Sequence, residues 1–140
     1  MTVEIHKAGG RFEEIGSYAR AKRIGPFAYT AGTTALDPTG KIHAPYDAYA
    51  QTKYILMRTE EFLREVGAEM RHVARVRVYL TDMSHAGGFI KAHGEAFDGI
   101  NPVLTAVTAG LTQPGLVVEI DVDAVVHDAD GVVGEGSGGV

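Results

Sequence analysis

The chain's apolar patterning predicts one layered domain, β-β-α-β-α-β-β, with two helices on one face of a five-stranded mixed sheet. Three observations carry this expectation. Short alternating runs broken by Gly and Pro stand toward both ends of the chain. Two segments at helical spacing lie between them, and "VARVRVYL" separates those segments as a strand with two unlike faces. With 140 residues, the chain is long enough for one domain with a real core.

The first strand is expected in "SYARAKRI", which alternates and ends at the turn signal Gly25-Pro26; the second is "FAYTAG". After the loop "LDPTGK", Thr52, Ile55, Leu56, Thr59, Phe62, Leu63 and Val66 recur at helical spacing, with Asp47 as N-cap and Gly67 as stop. In the next strand Val76, Val78 and Leu80 oppose Arg75, Arg77 and Tyr79. Ser84 is expected to cap a second helix to about Phe97, weakened at its start by Gly87 and Gly88. "PVLTAVTAG" and "LVVEIDVDAVV" supply the last two strands. Residues 1–127 form the domain and 128–140 a glycine-rich tail. Gly134, Gly136 and Gly139 match a dinucleotide fingerprint by letter, but no helix can follow them to receive a phosphate.

A net charge of −5 argues against general binding to nucleic acid or membrane surfaces, which needs a basic field. The cluster Arg20, Lys22, Arg23 is short and has no interleaved stacking aromatics. Absence of cysteine excludes disulfides, thiolate catalysis and cysteine-bound zinc. His85 and His93 have no third ligand at convincing spacing, so no metal site is expected. No apolar h-region and no 18-residue apolar run occur, and a cytoplasmic location is expected.

Two helices cover one face of such a sheet. The other would carry Arg75, Arg77, Glu119, Asp121 and Asp123 among valines. Arginines and acids on neighbouring strands can pair across a sheet, and the mixture favours burial against a second copy of the chain.

The combination of "YTAGT" after a hairpin, "AQT" opening a helix, "RVRVYLTDM" and a closing "VEI" strand resembles the Rid (YjgF) family of reactive-intermediate deaminases. The resemblance spans roughly Ile15 to Val126. It implies a chorismate-mutase-like α+β fold, a homotrimer with a central barrel, and small-molecule clefts between subunits. It also implies hydrolysis of enamines or imines without metal or organic cofactor. The family's Pro-Ala-Arg-Ser strand, whose arginine holds the substrate carboxylate, reads Pro102-Val103-Leu104-Thr105 here. Leu104 cannot hold a carboxylate, so the chain resembles a branch lacking that arginine. Ile90 stands where an asparagine is usual, and Ser17 replaces the proline of the Gly-Pro-Tyr-Ser segment.

On this resemblance Glu119 is the expected acid–base group and Tyr18 a ligand-facing hydroxyl. Gly32 and Thr33 are expected to present backbone N–H groups. Arg20, on the same strand face as Tyr18, is a candidate replacement cation; Thr105 offers a hydroxyl beside the lost arginine, and His93 a ring nitrogen. Asp121 and Asp123 are expected to balance charge with the arginines rather than act on substrate. Two other readings are a non-catalytic binding or chaperone-like trimer and, more weakly, an endoribonuclease.

Overall fold

A computed structural model describes residues 3–134. The strands are β1 (Val3–His6), β2 (Ala21–Ile24), β3 (Phe27–Thr30), β4 (Thr33–Thr34), β5 (Val73–Leu80), β6 (Val103–Thr108) and β7 (Val118–Val125). The helices are α1 (Arg11–Gly16), α2 (Ala48–Glu65) and α3 (Ala86–Ala96). The sheet order is β1-β2-β3-β7-β5-β6, with β4 also on β7; β5 and β6 are parallel and the other pairs antiparallel. The expected α+β architecture is present, enlarged at its N-terminus by β1 and α1 and by the two-residue β4. The first hairpin strand begins at Ala21, so Ser17–Arg20 is not part of it. Of the expected tail, Asp128–Val132 forms a turn closed by the bridge His127–Val133; the remainder, with Gly136 and Gly139, lies outside the described residues.

Helix α2 begins where Asp47 accepts the Ala50 N–H at 3.0 Å. It ends in a Schellman closure, with Ala68 N–H to Leu63 C=O at 2.8 Å, Gly67 N–H to Arg64 C=O at 3.0 Å, and Gly67 at φ +81°. The turn into α3 is capped by Asp82, which accepts the Ser84 N–H at 2.8 Å, rather than by Ser84 itself.

The core lies between the helices and one sheet face: Ile55, Leu63, Val76, Val78, Leu80, Val118, Ile120 and Val122 are fully buried. Arg23 is buried there too, at 2% exposure, and not in the solvated basic cluster that its neighbours suggest. Its Nε donates to Gly25 C=O at 2.8 Å, and one terminal nitrogen donates to Gly67 C=O at 2.8 Å and Val66 C=O at 3.3 Å. A cation on the carboxyl end of α2 meets the negative pole of its dipole. Gln51, also fully buried, donates to Ala44 C=O at 3.1 Å and Gly115 C=O at 2.7 Å and accepts the Val117 N–H at 3.0 Å, pinning the start of α2 to the entry of β7.

Two buried histidines make stability sensitive to pH. His72 Nδ1 accepts the Glu69 N–H at 3.0 Å, which leaves the ring proton on Nε2, 3.2 Å from His127 C=O. His93 is packed between Phe89 and Phe97, with ring centroids 5.4 and 4.7 Å away. Burial lowers both pKa values below the usual 6.5. A depressed folded-state pKa means the unfolded chain binds protons first, so stability is present above pH 6.5 and drains as pH falls below it. The melting temperature should therefore fall between pH 7 and 5.5, and the fall should be smaller in His93→Leu. Identical pH slopes in both proteins would refute the contribution of His93.

Candidate functional site

The sheet face away from the helices sorts its charges strand by strand. Register sets Tyr79 opposite Glu119, Arg77 opposite Asp121 and Arg75 opposite Asp123. Arg77 alone serves both aspartates: its Nε is 2.8 Å from Asp121, and its terminal nitrogens are 3.0 and 3.2 Å from the two Asp123 oxygens. Tyr79 adds its hydroxyl to Asp121 at 2.9 Å, which raises the phenol's pKa and keeps it a donor. Arg75 forms no ion pair among the described residues. Asp121 and Asp123 are thus neutralised inside the chain, as their pattern suggests.

Glu119 is set apart. Its pKa is raised, first by burial and then by the Asp121 charge, while Arg20 opposes the shift. Its carboxylate lies against Gly32, where an added Cβ would overlap the Glu119 oxygen. That close approach explains glycine at this position without any unusual backbone angle. Thr33, the next residue, pairs with Ile120 on β7 and is buried, its hydroxyl donating to Ala31 C=O at 3.2 Å.

The second wall is the segment before β2. One Arg20 terminal nitrogen donates to Gly32 C=O at 3.2 Å, and its Nε is buried 4.0 Å from Glu13. Glu13 is itself buried and accepts the N–H groups of Ala8 at 3.0 Å and Gly10 at 2.7 Å, so α1 is folded down onto Arg20. The Tyr18 ring, 41% exposed, has the guanidinium carbon 5.4 Å from its centroid. Ser17, just before it, sits at φ +56°, a conformation closed to proline. The Ser17 substitution therefore changes the backbone path into Tyr18.

Glu119, Gly32, Thr33, Arg20 and Tyr18 thus come together within one chain. Leu104, Thr105 and His93 do not join them. Leu104 and Thr105 lie on β6, opposite Val76 and Arg77 of β5, and every residue of β6 is exposed. His93 is a core residue of α3 at 8% exposure, its Nε2 buried without a partner. No cluster of three or more metal-ligating side chains occurs among the described residues. Glu13 was not legible as part of this site. "RFEEIG" is too short for helical periodicity to distinguish its two glutamates.

The family model described as Endoribonuclease L-PSP matches residues 9–126. The chain belongs to that family. It is 31% identical over 108 residues to a RutC family protein of Pyrococcus abyssi, covering 76% of this chain and 84% of that one. It is 28% identical over 111 residues to the 2-iminobutanoate/2-iminopropanoate deaminase of Mus musculus, covering 79% and 82%. Among solved structures, a YjgF family member from Mycobacterium tuberculosis superposes with TM-score 0.80 at 38% identity, covering 89% of this chain and all of that one. The L-PSP family match embraces both walls of the site, from Glu13 to Glu119. No helix of the described residues is long and apolar enough to cross a membrane.

Proposed function

We propose that this chain is a Rid-type small-molecule hydrolase acting on an enamine, an imine or a related C–N electrophile. Glu119 is the observation that carries the reading: a carboxylate with a raised pKa, left unneutralised while Arg77 consumes its two neighbours. In the reaction, protonated Glu119 gives its proton to the imine nitrogen as water adds to the carbon and the C=N π pair moves to nitrogen. The carboxylate then takes a proton from the added water, and a second transfer lets ammonia leave as the carbonyl forms. The imine deaminase among the relatives supports this reaction type.

The cleft is completed in this reading by a second copy, in a homotrimer. Strand β6 supports it, since it is exposed on both faces and carries Val103, Leu104 and Val107 on a sheet edge. Ribonuclease action fits less well. Of the cluster Arg20, Lys22, Arg23, Arg23 is buried and Arg20 is bound to Gly32 C=O, so no basic track remains for a phosphate backbone.

Two measurements test the proposal together. Light scattering should give three chain masses; a stable monomer at micromolar concentration would remove the shared cleft. A coupled assay on imines from serine or threonine dehydration should show weak turnover, because Leu104 cannot hold a carboxylate beside the reacting carbon. Leu104→Arg should raise it.

A further inference from the structure

A cleft of about 490 Å³ continues from Tyr18 along the outer face of β2 and β3, lined by Ile5, Lys7, Tyr18, Lys22, Tyr29 and Ala31 among others. Its walls are aliphatic and aromatic, and it holds two ammonium groups. Lys22 stands in register between Ile5 on β1 and Tyr29 on β3. It is a lone cation on a stretch of sheet otherwise presenting Val3, Ile5, Ile24, Phe27 and Tyr29. Among the described residues neither Lys7 nor Lys22 has a carboxylate within ion-pair distance. Arg20, by contrast, already donates to Gly32 C=O and faces Glu13. The cations free to meet a ligand are therefore the lysines.

We infer that Lys22, with Lys7 beside it, is the specificity-determining cation of this site and selects an anionic substrate whose carboxylate lies well away from the reacting carbon. This deepens the hydrolase reading and rests on Glu119 as its reactive end. The sheet provides the ruler. Lys22 pairs with Tyr29, which pairs with Asp123, four residues along β7 from Glu119. At ~3.3 Å per residue and ~4.8 Å per strand, the Lys22 and Glu119 Cα atoms are roughly 16 Å apart. Even with both side chains extended toward each other, a gap of roughly 6 Å remains for the ligand body. A short 2-imino acid, whose carboxylate adjoins the imine carbon, cannot span it. A longer keto or imino acid with an apolar or planar middle can, with Tyr18 and Tyr29 as its walls.

Calorimetric titration of the intact protein with three probes tests this. 5-Oxohexanoate carries carboxylate and carbonyl far apart, 2-oxobutanoate carries them adjacent, and 2-hexanone lacks the charge. 5-Oxohexanoate should bind about tenfold or more tighter than either of the others, the range for a hydrogen bond to a charged group. Lys22→Gln should remove that advantage without changing 2-hexanone binding, Lys22→Arg should restore most of it, and light scattering should show unchanged assembly. Three results would each overturn the inference: equal binding of the probes, an unchanged 5-oxohexanoate affinity in Lys22→Gln, or a loss that tracks a change in molecular mass. A loss in Arg20→Gln with none in Lys22→Gln would hand the role to Arg20. The two readings fail separately. Imine turnover surviving in Glu119→Gln removes the hydrolase reading, whereas the probe affinities alone decide Lys22.

Discussion

Glu119→Gln should lower imine turnover by about 10²–10⁴-fold while changing ligand affinity little, because it keeps shape and removes the proton acceptor. The same variant should be more stable than the parent at neutral pH. A carboxyl with a folded-state pKa above its usual 4.5 contributes stability that is fully present below pH 4.5 and lost as pH rises through the folded value. Glutamine has no such loss. The gain should therefore appear in melts at pH 7 and vanish at pH 4, opposite in sign to the histidine effect. Gly32→Ala provides the companion measurement. Its methyl occupies the space of the Glu119 carboxylate, so the side chain must leave its niche, and carboxyl NMR should find Glu119 titrating closer to its ordinary value. Full turnover in Glu119→Gln would end its catalytic role, whatever its effect on stability.

Arg23→Met should cost about 3–5 kcal/mol of unfolding free energy, read from denaturant midpoints. Removing the guanidinium strands three carbonyls, those of Gly25, Val66 and Gly67, each worth about 1–3 kcal/mol when left buried and unsatisfied. Part of that sum is returned because the buried cation has no carboxylate partner within ion-pair distance among the described residues, and one of its terminal nitrogens lacks an acceptor. Arg23→Lys should recover little, since one ammonium cannot fork between the β-turn and the end of α2. A change below about 1 kcal/mol for Arg23→Met would mean that water already satisfies those carbonyls.

Much of this architecture was readable before any coordinates. Asp47 and Gly67 bracket α2 because capping chemistry is local, and the acids of β7 declare a two-faced strand through period two alone. The division of those acids was readable in kind, though not in detail. Arg77 reaches both its direct and its diagonal partner, and a break in register beside Arg75 leaves that residue unpaired. The N-terminal region was not readable. "VEIH" is too short to announce a strand, and its pairing with β2 is a tertiary event. Reading "SYARAKRI" as one strand misplaced Tyr18 and Arg20, although their neighbourhood with Glu119 survives by way of a loop. The burial of Arg23 had an available signal, since it shares parity with Ala21 on the core face. Charge masked that signal. For Lys22, parity points the other way, toward the cleft.

The clamp at Gln51 has a dynamic consequence. Strand β7 is hydrogen-bonded along both edges and, through Val117, to the first turns of α2, so Glu119 belongs to a unit that opens only when much of the core opens with it. Tyr18 and Arg20 belong to the opposite case. Their segment hangs between an exposed edge strand and a six-residue helix, fastened chiefly by the two backbone bonds to Glu13. The site is therefore hinged like a vise, with one jaw fixed to the slowest-opening part of the molecule and the other free to part at small cost. Arrival and departure of a ligand can proceed by motion of the N-terminal jaw, while the reacting carboxylate holds its position.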